Sequence, residues 1–450
     1  MTKQLSMLAV LSSALLATSE VNSFSEVFSE ATTSGNIKYY YIQTDKDKSY
    51  TSQPDTSAKA NSIGGQIHFD TARLQGISAG ITFMTTNPFL LNDDPTKVDT
   101  SIIGKDNGAR GGDATKGFSV LGEAHIDYVY GDLMLSYGRK VVKSPLMDAK
   151  EVRMLPSSFN GFYSSYTINK THRVGFDYIT EFKQRTSSEF INVVQHALGA
   201  DTQAVTGSDG GYMLMANYNY KTKKTAINAY DCYAQDFINS IYVDGSYNTQ
   251  LGGKPLTLAL QYINQKSIGK ADTNLAQATS VTAGKTISVN AFALKAQTKI
   301  KSASFTFAYS KVLKSDAKHD SLVLAWDGTP LFTNMITSND LFQSIYGNAL
   351  KADSVYIGGS QGMKIAYKQN LKPLGLEHYS ASFAFLNTSN SRFAKDQRDY
   401  NVVLGYKPTK HFSLAFKGIW VQDNTSADKA GNISQLKLLS QYRVIANYKF

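Results

Sequence analysis

From about Asn36 to Phe450 one period dominates the chain, and it is two: apolar and polar residues alternate in run after run. In the last segment Leu436, Leu438, Tyr442, Val444, Ala446, Tyr448 and Phe450 share one face, while Lys437, Gln441, Arg443, Asn447 and Lys449 share the other. Ile77/Ala79/Ile81/Phe83, Leu256/Leu258/Leu260/Tyr262, Ala303/Phe305/Phe307/Tyr309 and Phe412/Leu414/Phe416/Trp420 repeat the pattern. Successive side chains of a strand point to opposite faces, so the alternation specifies strands with one apolar and one wet face. Beyond the N-terminus no stretch approaches the ~20 apolar residues of a spanning helix. Cys232 is the sole cysteine, which excludes a disulfide framework and a cysteine-rich zinc site.

Strands are expected near 36–43, 62–70, 75–85, 118–130, 132–141, 160–169, 172–181, 211–221, 224–235, 239–249, 255–266, 284–297, 300–312, 355–369, 378–387, 396–407, 410–422 and 434–450. Gaps after the even-numbered strands are tight. Most others are longer, notably 86–117, 142–159, 182–210 and 313–354. Short turns at one rim and long loops at the other are the habit of an outer-membrane barrel. The expected fold is therefore all-β: a transmembrane antiparallel β-barrel of about 18 strands whose third extracellular loop folds inward. Hydrocarbon leaves no backbone N–H or C=O unpaired, and a closed sheet pairs all of them between strands. One face meets lipid and the other water. This explains a charged fraction of 18%, below the roughly 25% usual for soluble proteins, together with a slightly negative mean hydropathy.

The N-terminus carries an address. A short basic start at Lys3 precedes an apolar run from Leu5 to Ala17, then two small-residue patterns, Ala17-Thr18-Ser19 and Val21-Asn22-Ser23. Residues 1–23 are expected to be a secretory signal peptide cut near 19–23, leaving 24–450 as one barrel domain in the bacterial outer membrane. Tyr212, Tyr218, Tyr220, Trp420, Tyr442 and Tyr448 lie near strand ends, where an interfacial girdle belongs. Phe450, after the alternating strand with Tyr448, resembles the terminal aromatic signal read by barrel-assembly machinery.

Barrels of 16–18 strands leave an aqueous lumen, so something must narrow it. The segment 142–159 is the best candidate and holds the most specific motif. Gly138-Arg139-Lys140 leads to Ser144-Pro145-Leu146 and then Arg153-Met154-Leu155-Pro156-Ser157-Ser158-Phe159-Asn160-Gly161. This resembles the OprD family of outer-membrane porins, whose third loop carries a similar Gly-Arg, Thr-Pro-Leu and Arg-Met-Leu-Pro-x-x-Phe-x-Gly run. Here Ser144 replaces a Thr, and Glu151 stands for the family's Asp. Phe182 to Phe190 looks like a later Lys/Arg-Asn-Ser-x-x-Phe stretch. The resemblance implies an 18-stranded channel for small hydrophilic solutes, often carboxylate-bearing, with basic side chains along the lumen, as a monomer or homotrimer.

With the apolar face toward lipid, Lys38, Lys364, Lys368, Lys417, Lys437, Arg443 and Lys449 face the lumen. A one-sided positive wall focuses the field and concentrates anions. Glu123, Asp127, Asp177 and Glu181 are expected to face them and orient a dipolar, amino-acid-like solute, and Tyr40, Tyr163 and Tyr242 to add polar-tipped aromatic surface. Constriction and selectivity are assigned to Arg153, whose guanidinium fork suits a carboxylate, with Arg139, Lys143, Glu151, Glu123, Asp127, Lys38, Lys417 and Arg443. Pro145 and Pro156 would stiffen the loop. Leu146, Met154, Leu155 and Phe159 would anchor it to the wall.

Catalysis is not indicated. The seven His are scattered, none in a His-Glu-x-x-His or Gly-x-Ser-x-Gly context, and no cofactor or metal is implied. A net charge of +10 comes from dispersed Lys and Arg, without the dense basic run of a nucleic-acid binder. The loops 86–117 and 313–354, with apolar islands at Phe89-Leu90-Leu91 and Leu331-Phe332, would serve as lids over the mouth or in adhesion; an adhesin is the alternative function.

Overall fold

The computed structural model describes residues 19–46, 56–90, 102, 116–149, 153–277, 284–336, 355–390, 397–423 and 437–450. Eighteen long strands build it: β1 (Thr32–Lys46), β2 (Thr56–Asp70), β3 (Ile77–Pro88), β4 (Phe118–Tyr130), β5 (Leu133–Lys140), β6 (Ser158–Thr167), β7 (His172–Lys183), β8 (Met213–Lys221), β9 (Thr225–Ala234), β10 (Ile238–Leu251), β11 (Lys254–Ser267), β12 (Ser288–Ile300), β13 (Ala303–Val312), β14 (Ser360–Asn370), β15 (Tyr379–Asn390), β16 (Gln397–Tyr406), β17 (Phe412–Asp423) and β18 (Lys437–Lys449). Each pairs antiparallel with the next. β18 returns to β1 in register from Asn36↔Lys449 to Lys46↔Leu439, which closes the sheet and abolishes its edges. Gly35 and Phe450 add a reciprocal pair of backbone bonds at 3.1 Å to this seam. No described helix is long and apolar enough to cross a membrane; the crossing is made by strands.

The tight gaps after even-numbered strands are present as the pattern predicts. At the β10–β11 turn Gly252 and Gly253 both have positive φ, 56° and 71°, the two-residue geometry that matches strand twist and that only glycine adopts without strain. The outer surface is apolar: Ile81, Leu260 and Ile365 are 48%, 64% and 58% exposed. Their pleat neighbours point inward and are covered.

Two bulges set local parity. In β4 the register steps from Thr82↔Glu123 to Phe83↔Leu121 and passes over Gly122, so Glu123 and Asp127 both face the lumen. In β7 it steps from Asn160↔Glu181 to Gly161↔Ile179, leaving Thr180 unpaired. One inserted residue turns every later side chain to the other face. Asp177 and Ile179 therefore point inward, whereas Glu181 joins Asn160 on the outer side at 2.7 Å. This corrects the expectation that Glu181 lines the lumen.

The lumen is not empty. Residues 313–336 of the β13–β14 connection do not stay at the mouth as a lid; they lie against the inner wall. Gln265 of β11 exchanges two bonds with the Val323 backbone, 2.7 and 3.0 Å, and Gln261 donates to the Pro330 carbonyl at 2.6 Å. A helix-bearing β7–β8 connection, with α2 (Val193–Leu198) and α3 (Thr202–Thr206), completes the filling, and α4 (Lys270–Gln277) packs against α3.

Candidate functional site

The third loop leaves β5 as a small bridge. Ser144 N–H bonds Met147 O at 2.6 Å, Ser144 Oγ accepts the Met147 N–H at 2.9 Å, and Ala149 N–H returns to Val142 O at 2.9 Å. Met147 pairs with Asp327 across to the β13–β14 connection, and Asp148 N–H bonds Trp326 O at 3.1 Å. Asp327 then collects Ser157 Oγ at 2.5 Å and the Arg185 guanidinium at 3.0 Å, while Trp326 Nε1 donates to Val193 O at 3.0 Å. Three connections thus meet at Trp326–Asp327. The buried Leu146, Met147 and Phe159 belong to the apolar cluster beneath them.

The far end of the loop is held by ammonium groups on its carbonyls. Lys38 of β1 donates to Arg153 O at 3.3 Å and Met154 O at 3.0 Å; Lys183 of β7 donates to Pro156 O at 3.1 Å. Both lysines are buried. A lysine presents three rotatable donors, so one head group can satisfy several carbonyls that a tight non-repetitive run leaves unpaired. Met154 and Leu155 are 1% and 0% exposed and pack with Tyr40, Ile42, Ala60, Met84 and Ile102. Tyr163 OH donates to Phe159 O at 2.9 Å, and the Phe159 and Phe182 rings lie 4.8 Å apart. Pro145 comes just before Leu146 at the start of the loop.

Charge on the wall is sorted by position. Glu123 accepts from Thr82 Oγ1 at 2.7 Å and from Val141 N–H at 2.9 Å, fixing the point where the loop departs. Asp127 is paired with Lys140 at 2.9 Å and lies 2.9 Å from His125 Nδ1. On the other side Lys417 and Arg443 stand directly opposite each other on β17 and β18, both inward, with Arg443 Nε donating to Gln441 at 2.6 Å. Lys364 also points inward and donates to the Asn334 carbonyl.

The expected site residues fall as follows. Lys38, Glu123, Asp127, Lys417 and Arg443 line the inner wall, and Arg153 lies in the loop that Lys38 holds, only 4% exposed. Lys143 is exposed and borders a recess with Arg173, Asp177, Asn217 and Tyr230. Arg139 needs correction: it shares the side of the exposed Tyr137, opposite Lys140, and its guanidinium stacks 4.3 Å from the Phe190 ring. Glu151 and the side chain of Lys437 lie outside the described residues. Tyr448 and Phe450 are half exposed on the outer face. Sequence reasoning missed Lys140 and Lys183, though strand parity alone marks Lys140 as inward. It also missed Gln261, Gln265 and Asp327, whose partners come from distant loops.

A family model described as "outer membrane porin, OprD family" matches residues 26–446. The chain belongs to the OprD family. The porin's fold is also that of solved structures at low identity. The crystal structure of Pseudomonas aeruginosa OccK8 (OprE) is 14% identical with a TM-score of 0.72, covering 94% of this chain and 99% of that one. Acinetobacter baumannii OccAB3 is 10% identical with a TM-score of 0.71, covering 94% and 100%. Pseudomonas aeruginosa OccK2 (OpdF), solved in complex with glucuronate, is 12% identical with a TM-score of 0.68, covering 94% and 98%. No curated protein matches the chain. The porin is an outer-membrane channel: its apolar outer face meets bilayer lipid, and small solutes pass through its lumen.

Proposed function

We propose that the porin passes small hydrophilic solutes bearing a carboxylate, by diffusion and without a chemical step. The observation that carries this reading is the pair Lys417 and Arg443, like charges set directly across two neighbouring strands on the inner wall. Two cations side by side on a low-dielectric wall raise the local positive potential and draw anions toward it. Lys38 and Lys364 extend the positive side, while Glu123 and Asp177 lie inward on β4 and β7, where Asp127 is matched by Lys140. Glucuronate in the OccK2 structure, like vanillate in that of Pseudomonas aeruginosa OpdK, is a carboxylate, in keeping with this class.

The constriction is formed by the third loop with Arg153 and Lys143, narrowed further by the β13–β14 connection. Leu146, Met154, Leu155 and Phe159 hold the loop to the wall, and Pro145 and Pro156 limit its backbone. Phe450 and Tyr448 present the terminal strand to barrel-assembly machinery, and the porin works as a monomer or homotrimer.

In planar bilayers under a KCl gradient, discrete conducting steps are expected, with a reversal potential favouring chloride. Arg153→Ala and the double variant Lys417→Gln/Arg443→Gln should each shift that potential toward cations. An unchanged potential in the double variant would overturn the anion-attracting role of the pair. A folded barrel that does not conduct would overturn the channel and leave adhesion by its loops.

A further inference from the structure

Two small-residue patterns offer a leader cut, Ala17-Thr18-Ser19 and Val21-Asn22-Ser23, and the sequence does not choose between them. The fold around the first residues does. Glu20–Val21 pairs in parallel with Arg73–Leu74 in the β2–β3 turn, with partners Glu20↔Arg73 and Val21↔Leu74. Glu20 Oε1 accepts the Gly76 N–H at 3.1 Å, and Gly76 holds a positive φ of 83° in that turn. Val21 is buried. Next comes the helix α1 (Phe24–Ser29), whose Val27 O accepts the Ala72 N–H at 3.0 Å. Its Glu26 carboxylate reaches back to the N–H groups of Asn22 at 2.9 Å and Ser23 at 3.3 Å.

We propose that the leader is removed at the Ser19–Glu20 bond and that residues 20–29 stay in the mature porin as a clasp from β1 to the β2–β3 turn. A cut after Ser23 would delete the strand pair, the Glu20 carboxylate on the turn, the buried Val21 and the residue that precedes α1. A six-residue helix has too few internal bonds to offset its nucleation and persists only through such outside contacts. A cut after Ser19 keeps every one of these and gives up only the Arg73 N–H to Ser19 O bond of 2.8 Å. Ala17 and Ser19 are then the small residues three and one before the cut, as a leader peptidase requires. Water adds to the Ser19 carbonyl, the C–N bond breaks, Ser19 leaves as a carboxylate carrying the water oxygen, and the new Glu20 amino group takes both of the water's protons as an ammonium.

N-terminal sequencing and intact mass of the porin purified from outer membranes test this. A first residue at Glu20 is expected; an uncut leader or a first residue anywhere else overturns the proposal. Refolded chains starting at Glu20 and at Phe24 supply the second reading. The shorter chain should lose its compact band on gels at a temperature several degrees lower, and identical behaviour would overturn the clasp.

Discussion

Lys140→Met should destabilise the folded barrel by about 3–5 kcal/mol, the range for removing one partner of a buried ion pair. The side chains of Lys140 and Asp127 are 0% and 3% exposed, the ammonium lies 2.9 Å from Asp127 Oδ1, and it also donates to Ser136 Oγ at 3.0 Å. Most of the loss comes from the carboxylate left without its counter-charge. Asp127→Asn in the Lys140→Met background should therefore restore a large part of it. Urea unfolding of the four chains of this double-mutant cycle gives the coupling directly. If the double variant is as unstable as the sum of the two singles, the pair is not what holds β4 to β5.

Replacing Leu322–Phe332 by a short Gly-Ser segment should raise single-channel conductance several-fold. A barrel of this strand number is wide enough for a water-filled channel, so whatever lies across it sets the current. That segment carries the Val323 and Pro330 backbone groups bonded to Gln265 and Gln261, and the Trp326–Asp327 junction that braces the third loop. Its loss opens the lumen directly and releases Met147 and Ser157 as well. Unchanged conductance, with the barrel still folded, would show that the narrowest point lies elsewhere.

Much of this was legible in the chain because the strand period has no ambiguity. An apolar face every second residue, ending at Phe450, specified the strands, and the parity of short and long gaps specified their up-and-down order. Inward Lys38, Lys417 and Arg443 followed from the same rule. Parity failed where a bulge intervened, at Thr180, which turned Glu181 outward. Arg139 was misplaced by the motif and not by parity, which points it the other way from Lys140.

The sequence by itself determined the closed sheet and its seam. Those depend on alternation and nearest-neighbour pairing, which are local properties. Only the tertiary structure decided what fills the lumen. Lys38 bonds carbonyls of the third loop across 115 residues, and Asp327 meets Ser157 across 170. Such contacts leave no period in a sequence. They arise because irregular backbone inside a barrel must find donors and acceptors wherever the surrounding wall presents them.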